Sequence, residues 1–256
     1  MDLKKLLNTF EGNMEEMELN LSADCVIFTI QENTLRVLLT KLESDADWML
    51  PGGFINKSES ADSAADRILL QRTGLDNIFL RQFQIFSNPY RFSFKSLLIE
   101  LGMEDDGRID FSSLPDRVIS IGYFALVNFQ ALKLTGGMFQ EDTIWADVHE
   151  LPALKFDHTD IISEAHYALK NELYLKPIAY NFLPERFTMP ELQKLYEVIL
   201  DRSLERSSFQ KKMLKWDIYE RLEERREGVA HKRPFLYRFD PEKYEEACRQ
   251  GIRFGI

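Results

Sequence analysis

Between Leu50 and Leu75 the chain reads LPGGFINKSESADSAADRILLQRTGL. Two adjacent glycines permit a tight turn, and Ala61, Ala64, Ala65, Ile68 and Leu69 then recur at helical spacing up to Gly74, a natural helix stop. The pattern predicts a turn followed by a helix over 59–72, with Glu59 and Arg67 placed to form a loop-to-helix ion pair. Upstream, residues 23–30 (ADCVIFTI) and 35–41 (LRVLLTK) are β-branched apolar runs around the turn-like QENT, and read as a strand pair. Further strands are expected at 78–86, 118–127 and 143–147. Strands mixed with few helices imply an α/β first domain.

The segment also resembles the box of the Nudix hydrolases: Gly, five residues, Glu, seven residues, Arg-Glu-apolar-any-Glu-Glu-any-Gly-apolar. Gly53, Glu59, Arg67 and Gly74-Leu75 match it, with Trp48 and Leu50-Pro51-Gly52 as the usual lead-in. The likeness covers about residues 20–155 and implies an α/β/α sandwich around a mixed sheet. Three glutamates of the box are replaced by Ile68, Gln71 and Arg72. In the enzymes those carboxylates hold a divalent cation, which requires charged oxygen ligands. An alkyl group, a neutral amide and a cation do not supply them, so family-type catalysis, metal and cofactor are not expected.

Charge divides the chain. Residues 1–179 carry 16 Lys and Arg against 28 Asp and Glu, a net −12, whereas residues 180–256 carry 16 against 14, a net +2. A basic segment behind an acidic body suggests nucleic acid as its partner. Thr188-Met-Pro-Glu191 has the capping-box form, followed by an apolar face of Leu192, Leu195, Tyr196 and Ile199. After DRSLER, Ser207 to Gln210 repeats the form before a second helix with Phe209, Met213 and Trp216 on one face. Residues 229–239 end as a hairpin strand does. Two helices and a basic hairpin outline a winged helix-turn-helix.

A degenerate Nudix domain followed by a winged helix is similar to the bacterial Nudix-related transcriptional regulators. Members include an ADP-ribose-sensing repressor of NAD metabolism and arabinose-type regulators. The likeness extends over the segments 117–126, 150–154, 156–158, 180–184, 187–188, 208–212 and 232–239. It implies four regions: an N-terminal extension (1–20), a Nudix-like sensor (21–158, with an insertion near 91–116), a linker helix (159–178, Thr159 as N-cap candidate) and a winged helix (179–256).

The resemblance marks Asp24, Lys41, Trp48, Phe54, Arg117 and Tyr123 as candidate ligand-binding residues. Asp24 and Lys41 either sit at strand ends in water or line the pocket. Trp48, Phe54 and Tyr123 either stack on a ligand or pack the core. On the second helix Ser207, Ser208, Gln210, Lys211, Lys212 and Lys215 are candidates for reading DNA, with Gln suited to adenine and Lys to guanine or phosphate. Arg225, Arg226, Lys232 and Arg233 are expected to neutralise phosphates. One helix-turn-helix reads a half-site, so a homodimer on a double-stranded operator is expected. The four histidines show no metal-like spacing. His158 either orients the linker or binds a ligand.

The expected function is a ligand-responsive regulator with an inactive sensor. The acidic first domain favours a neutral pentose over a diphosphate as effector. ADP-ribose remains the alternative, with Arg72 standing in for the metal, as does a hydrolase with a rearranged metal site. No apolar run is long enough to span a membrane and no secretory signal is visible, so the expected compartment is the cytoplasm. The two cysteines form no disulfide framework.

Overall fold

Strands β1 (Met17–Gln31) and β2 (Thr34–Leu42) are joined through Glu32 and Asn33, whose φ values of 53° and 62° give the two left-handed residues of a tight hairpin turn. In this computed structural model residues 17–42, 46–91, 93, 95–96, 99, 112, 114–128, 141–175, 182–226 and 233–250 are described. Most of the expected 1–20 extension and 91–116 insertion lies outside the described residues, as do His231 and Lys232. The chain divides into two compact units, residues 1–29 with 36–165 and residues 30–35 with 166–256.

The first unit is built on a six-stranded mixed sheet. Its remaining strands are β3 (Gly52–Asn56), β4 (Arg81–Phe86), β5 (Ile119–Leu126) and β6 (Glu141–Asp147). The order is β4-β5-β1-β2-β6, with β3 also paired to β1. Strand β1 runs parallel to β5 in the register Leu21↔Ile119 to Phe28↔Leu126, and β1–β3, β2–β6 and β4–β5 are antiparallel. Every residue from Ala23 to Phe28 is buried, as expected of a central strand covered on both faces.

Helix α1 (Ala61–Thr73) is capped by Ser60, which accepts from the Ser63 N–H, and ends at Gly74 with φ 74°. Its Ala64, Ala65, Ile68 and Leu69 pack on Ala23, Cys25, Ile27, Leu38, Tyr123 and Ala125 as one apolar cluster. Cys25 donates to the Ala65 carbonyl at 3.7 Å, and burial pushes its thiol pKa far up, so it stays a protonated packing group. Register breaks between Gln82 and Gln84 turn Phe83 over Gly122. A Cβ at Gly122 would stand 2.6 Å from the Phe83 ring and 2.8 Å from Phe86.

Helix α2 (His158–Leu175) starts one residue before the expected cap Thr159, with the Ile161 N–H donating to the Asp157 carbonyl. The division between the units falls inside it. The second unit contains β7 (Phe187–Thr188), α3 (Met189–Leu200), α4 (Arg206–Lys215), β8 (Tyr219–Arg225), β9 (Phe235–Phe239) and α5 (Pro241–Arg249). The strands form an antiparallel sheet in the order β7-β9-β8. Tyr196 meets Phe209 edge-on at 5.3 Å and Phe187 meets Tyr219 at 5.8 Å, tying helices and sheet into separate aromatic contacts. Among the described residues no helix is long and apolar enough to cross a membrane.

Candidate functional site

The glycine turn places Glu59 at the foot of α1, where the expected ion pair forms. Arg67 donates from Nε to Glu59 Oε2 at 3.0 Å and from Nη2 to Oε1 at 2.6 Å. Its remaining N–H groups reach the Phe54 carbonyl and Gln71 Oε1, both at 2.9 Å. Burial pushes the Glu59 pKa up, but the bonds from Arg67 and the Asn56 N–H outweigh it and hold the carboxyl below its usual range. Gln71 thus serves as a neutral acceptor for Arg67, and Ile68 is buried in the apolar cluster. Arg72 is buried too, its Nε donating to the Gly52 carbonyl at 3.1 Å. These residues do not fit a divalent cation: one carboxylate remains, already committed to Arg67 and Asn56. Among the described residues no group of three or more His, Cys, Asp or Glu gathers around a metal-sized point.

Asp24 is 5% exposed, so it does not sit at a strand end in water, and it stands at the centre of a buried charged cluster. Ser120 Oγ donates to its Oδ2 at 2.5 Å, Arg91 Nη2 lies 3.8 Å from Oδ2, and His158 Nε2 lies 3.7 Å from Oδ1. Arg91 also pairs with Asp157 and donates to the Phe86 and Val118 carbonyls, which makes it an anchor of the fold. His158 accepts the Leu50 N–H on Nδ1 at 2.9 Å, which leaves Nε2 as the protonated nitrogen facing Asp24. Burial lowers the His158 pKa; Asp24 and Asp157 oppose this and Arg91 adds to it. The Leu50–Gly53 turn is therefore gripped at three points. Leu50 holds His158, the Pro51 carbonyl accepts the Cys25 N–H, and the Gly52 carbonyl accepts Arg72.

The other sensor candidates separate. Lys41 Nζ lies 4.8 Å from the centre of the Trp48 ring, and both are half-buried, so these two do come together. Phe54 and Tyr123 are 5% and 2% exposed and pack in the core. Only the Tyr123 hydroxyl has a polar task, donating to Asp62 Oδ1 at 2.6 Å, and its pKa is raised by burial and by that carboxylate. Arg117 donates to the Ser87 carbonyl at 2.9 Å. Arg91, Ser120 and Asp157 were not singled out as site residues in the sequence because their partners are remote along the chain.

In the second unit, Thr188 and Glu191 form the expected capping box. The second box does not form: Glu205 caps α4, accepting the Ser207 and Ser208 N–H groups at 2.9 and 2.6 Å. Glu205 thus occupies the N-cap position two residues before Ser207, which places Ser207 and Ser208 inside the first turn of the helix. These bonds lower its pKa to about 2. Phe209 and Met213 are buried, whereas Ser207, Ser208, Lys211, Lys212 and Lys215 are exposed and Gln210 is half-buried, so one polar face carries the DNA-reading candidates. On the hairpin, Arg225 donates to the Arg233 carbonyl at 3.0 Å, and the Arg226 N–H to Pro234 at 3.0 Å. The Arg226 side chain pairs with Glu191 of the capping box. Lys232 lies outside the described residues.

Residues 179–239 match the family described as the NrtR DNA-binding winged helix domain. The chain is 28% identical over 233 residues to the ADPR responsive transcriptional repressor NtrR of Acinetobacter baylyi, covering 88% of this chain and 84% of the relative. The crystal structure of Shewanella oneidensis NrtR complexed with a 27mer DNA superposes with TM-score 0.63 and 24% identity, over 88% of this chain and 95% of that one. A MutT/nudix family protein from Enterococcus faecalis gives 0.59 and 21%, over 94% of both chains. The two structural likenesses show the fold: a Nudix-like α/β domain with a mixed sheet, followed by a winged helix.

Proposed function

Taking as premise that this chain is a Nudix-related transcriptional regulator with an NrtR-type winged helix domain, we propose that it is an ADP-ribose-responsive repressor whose Nudix domain senses and does not hydrolyse. The observation that carries the reading is the likeness to an ADP-ribose-responsive repressor along most of the chain, sensor included. It favours ADP-ribose over the pentose expected from net charge. A net −12 spread over a whole domain acts weakly beyond the ~8 Å screening length of physiological salt, so local groups govern a diphosphate. The half-buried Lys41–Trp48 pair offers a cation and an aromatic ring on that local scale.

The sensing role agrees with the chemistry of the box. Ile68 in the core, Gln71 bound to Arg67 and a buried Arg72 leave no carboxylate set for a metal-assisted attack on a diphosphate. The protein acts on DNA in the cytoplasm, as a homodimer in which two copies of α4 read two half-sites about one helical turn apart. Calorimetry with ADP-ribose and a panel of pentoses tests the effector. Saturable binding of ADP-ribose without metal supports the reading, and binding of a pentose alone overturns it.

A further inference from the structure

Five arginines on and beside the hairpin of the winged helix differ in what neutralises them. Arg186 pairs with Glu224 at 2.7 Å, Arg238 with Glu220 at 2.6 Å, and Arg226 with Glu191. Arg221 and Arg225 differ. The Arg225 guanidinium carbon lies 3.9 Å from the centre of the Phe235 ring, and that of Arg221 lies 4.7 Å from the same centre. Among the described residues, neither has a carboxylate within ion-pairing distance, and both are exposed. Four residues apart on a regular strand, their Cα atoms would stand about 13 Å apart. The register break between Arg221 and Arg225 and the lean of both side chains onto Phe235 instead bring the two cations to one ring.

Two like charges held over a single aromatic ring repel each other unless an anion joins them. The Phe235 ring holds both guanidiniums by cation–π attraction, and the Arg233 carbonyl accepts from Nη1 of Arg225 at 3.0 Å. A planar fork of donors presented this way suits the oxygens of a phosphate diester better than it suits a base edge of one particular kind. We propose that Arg221 and Arg225, mounted on Phe235, clamp one backbone phosphate of the operator, and that Arg226 positions the hairpin through Glu191 without touching DNA. Arg221 is thereby added to the DNA-binding residues and Arg226 removed from them. The proposal rests on DNA binding by the winged helix.

Full-length protein is titrated with two labelled duplexes, one selected from random sequence and one unrelated, from 50 to 200 mM salt. The double variant Arg221→Ala/Arg225→Ala is expected to weaken both duplexes about equally and to flatten the log–log salt slope by about 0.9, the value of one phosphate contact. Arg221→Lys/Arg225→Lys keeps the charges and should keep the slope, while losing affinity with the fork geometry. Arg226→Gln should leave the slope unchanged. An unchanged slope in the double alanine variant overturns the clamp while leaving DNA binding intact, as does a loss confined to the selected duplex. Failure of the unaltered protein to bind either duplex overturns the clamp together with the DNA-binding reading.

Discussion

The backbone N–H of Leu50 donates to Nδ1 of His158 at 2.9 Å, joining the glycine turn of the sensor to the first residue of helix α2 across 108 positions of sequence. The contact requires a neutral imidazole, because protonated Nδ1 has no lone pair to accept with. Burial supplies that condition by lowering the His158 pKa from 6.5.

This fixes the sign of a pH effect. In the unfolded chain His158 binds a proton near pH 6.5, whereas in the fold it does so only at lower pH, so the unfolded state holds more protons in between. Stability is therefore fully present above pH 6.5 and is lost as pH falls toward the folded pKa, by at most about 1.4 kcal/mol per pH unit. Urea unfolding between pH 7.5 and 5.5 should show this loss. His158→Gln, though less stable at pH 7.5, should show a shallower pH dependence. An equal slope in both would contradict the assignment.

Gly52→Ala tests the charged cluster from the other side. Its new Cβ would fall 2.2 Å from Asp24 Oδ1, which forces the carboxylate away from His158 and Arg91. Overpacking of a closed site costs about 1–3 kcal/mol, and loosening a buried ion pair adds to it. A midpoint shift in urea at unchanged m-value is the expected result. A neutral effect would mean that Asp24 does not depend on its partners.

How far these features could be read from sequence depended on distance along the chain. Helix α1, its Gly74 stop and the Glu59–Arg67 pair rest on spacings of a turn or two, and the sequence pattern carries them. Asp24, Arg91, Ser120 and His158 meet only once β1, β5 and the start of α2 are assembled, and nothing local marks their partnership. Strand β3 was missed because its glycines suggest a turn, and pairing with β1 makes it a strand. The Ser207 box does not form because the helix starts earlier, with the Glu205 carboxylate capping the Ser207 and Ser208 amides. Phe54 and Tyr123 show the limit of residue type: an aromatic ring suits a ligand wall and a core equally, and burial decides.

The commitment of Glu59 to Arg67 and the Asn56 N–H predicts a catalytic result. With magnesium or manganese, the protein should leave ADP-ribose intact in a chromatographic assay. A typical enzyme would turn over about 10 times per second. Glu59 is bound to Arg67, so Glu59→Gln should change stability and not activity. Metal-dependent turnover abolished by Glu59→Gln would contradict the sensor reading.

An ADP-ribose-responsive repressor must couple its two domains through one ligand. The most direct measurement is the affinity of the full-length protein for its selected duplex, with and without saturating ADP-ribose, at fixed salt. A ligand that prefers one arrangement of the domains must shift that affinity, and couplings of this kind are typically 5–150-fold. A shift of that size is expected with ADP-ribose and none with ribose or arabinose. Unchanged DNA affinity at saturating ADP-ribose, or a shift produced by a free pentose instead, would contradict it.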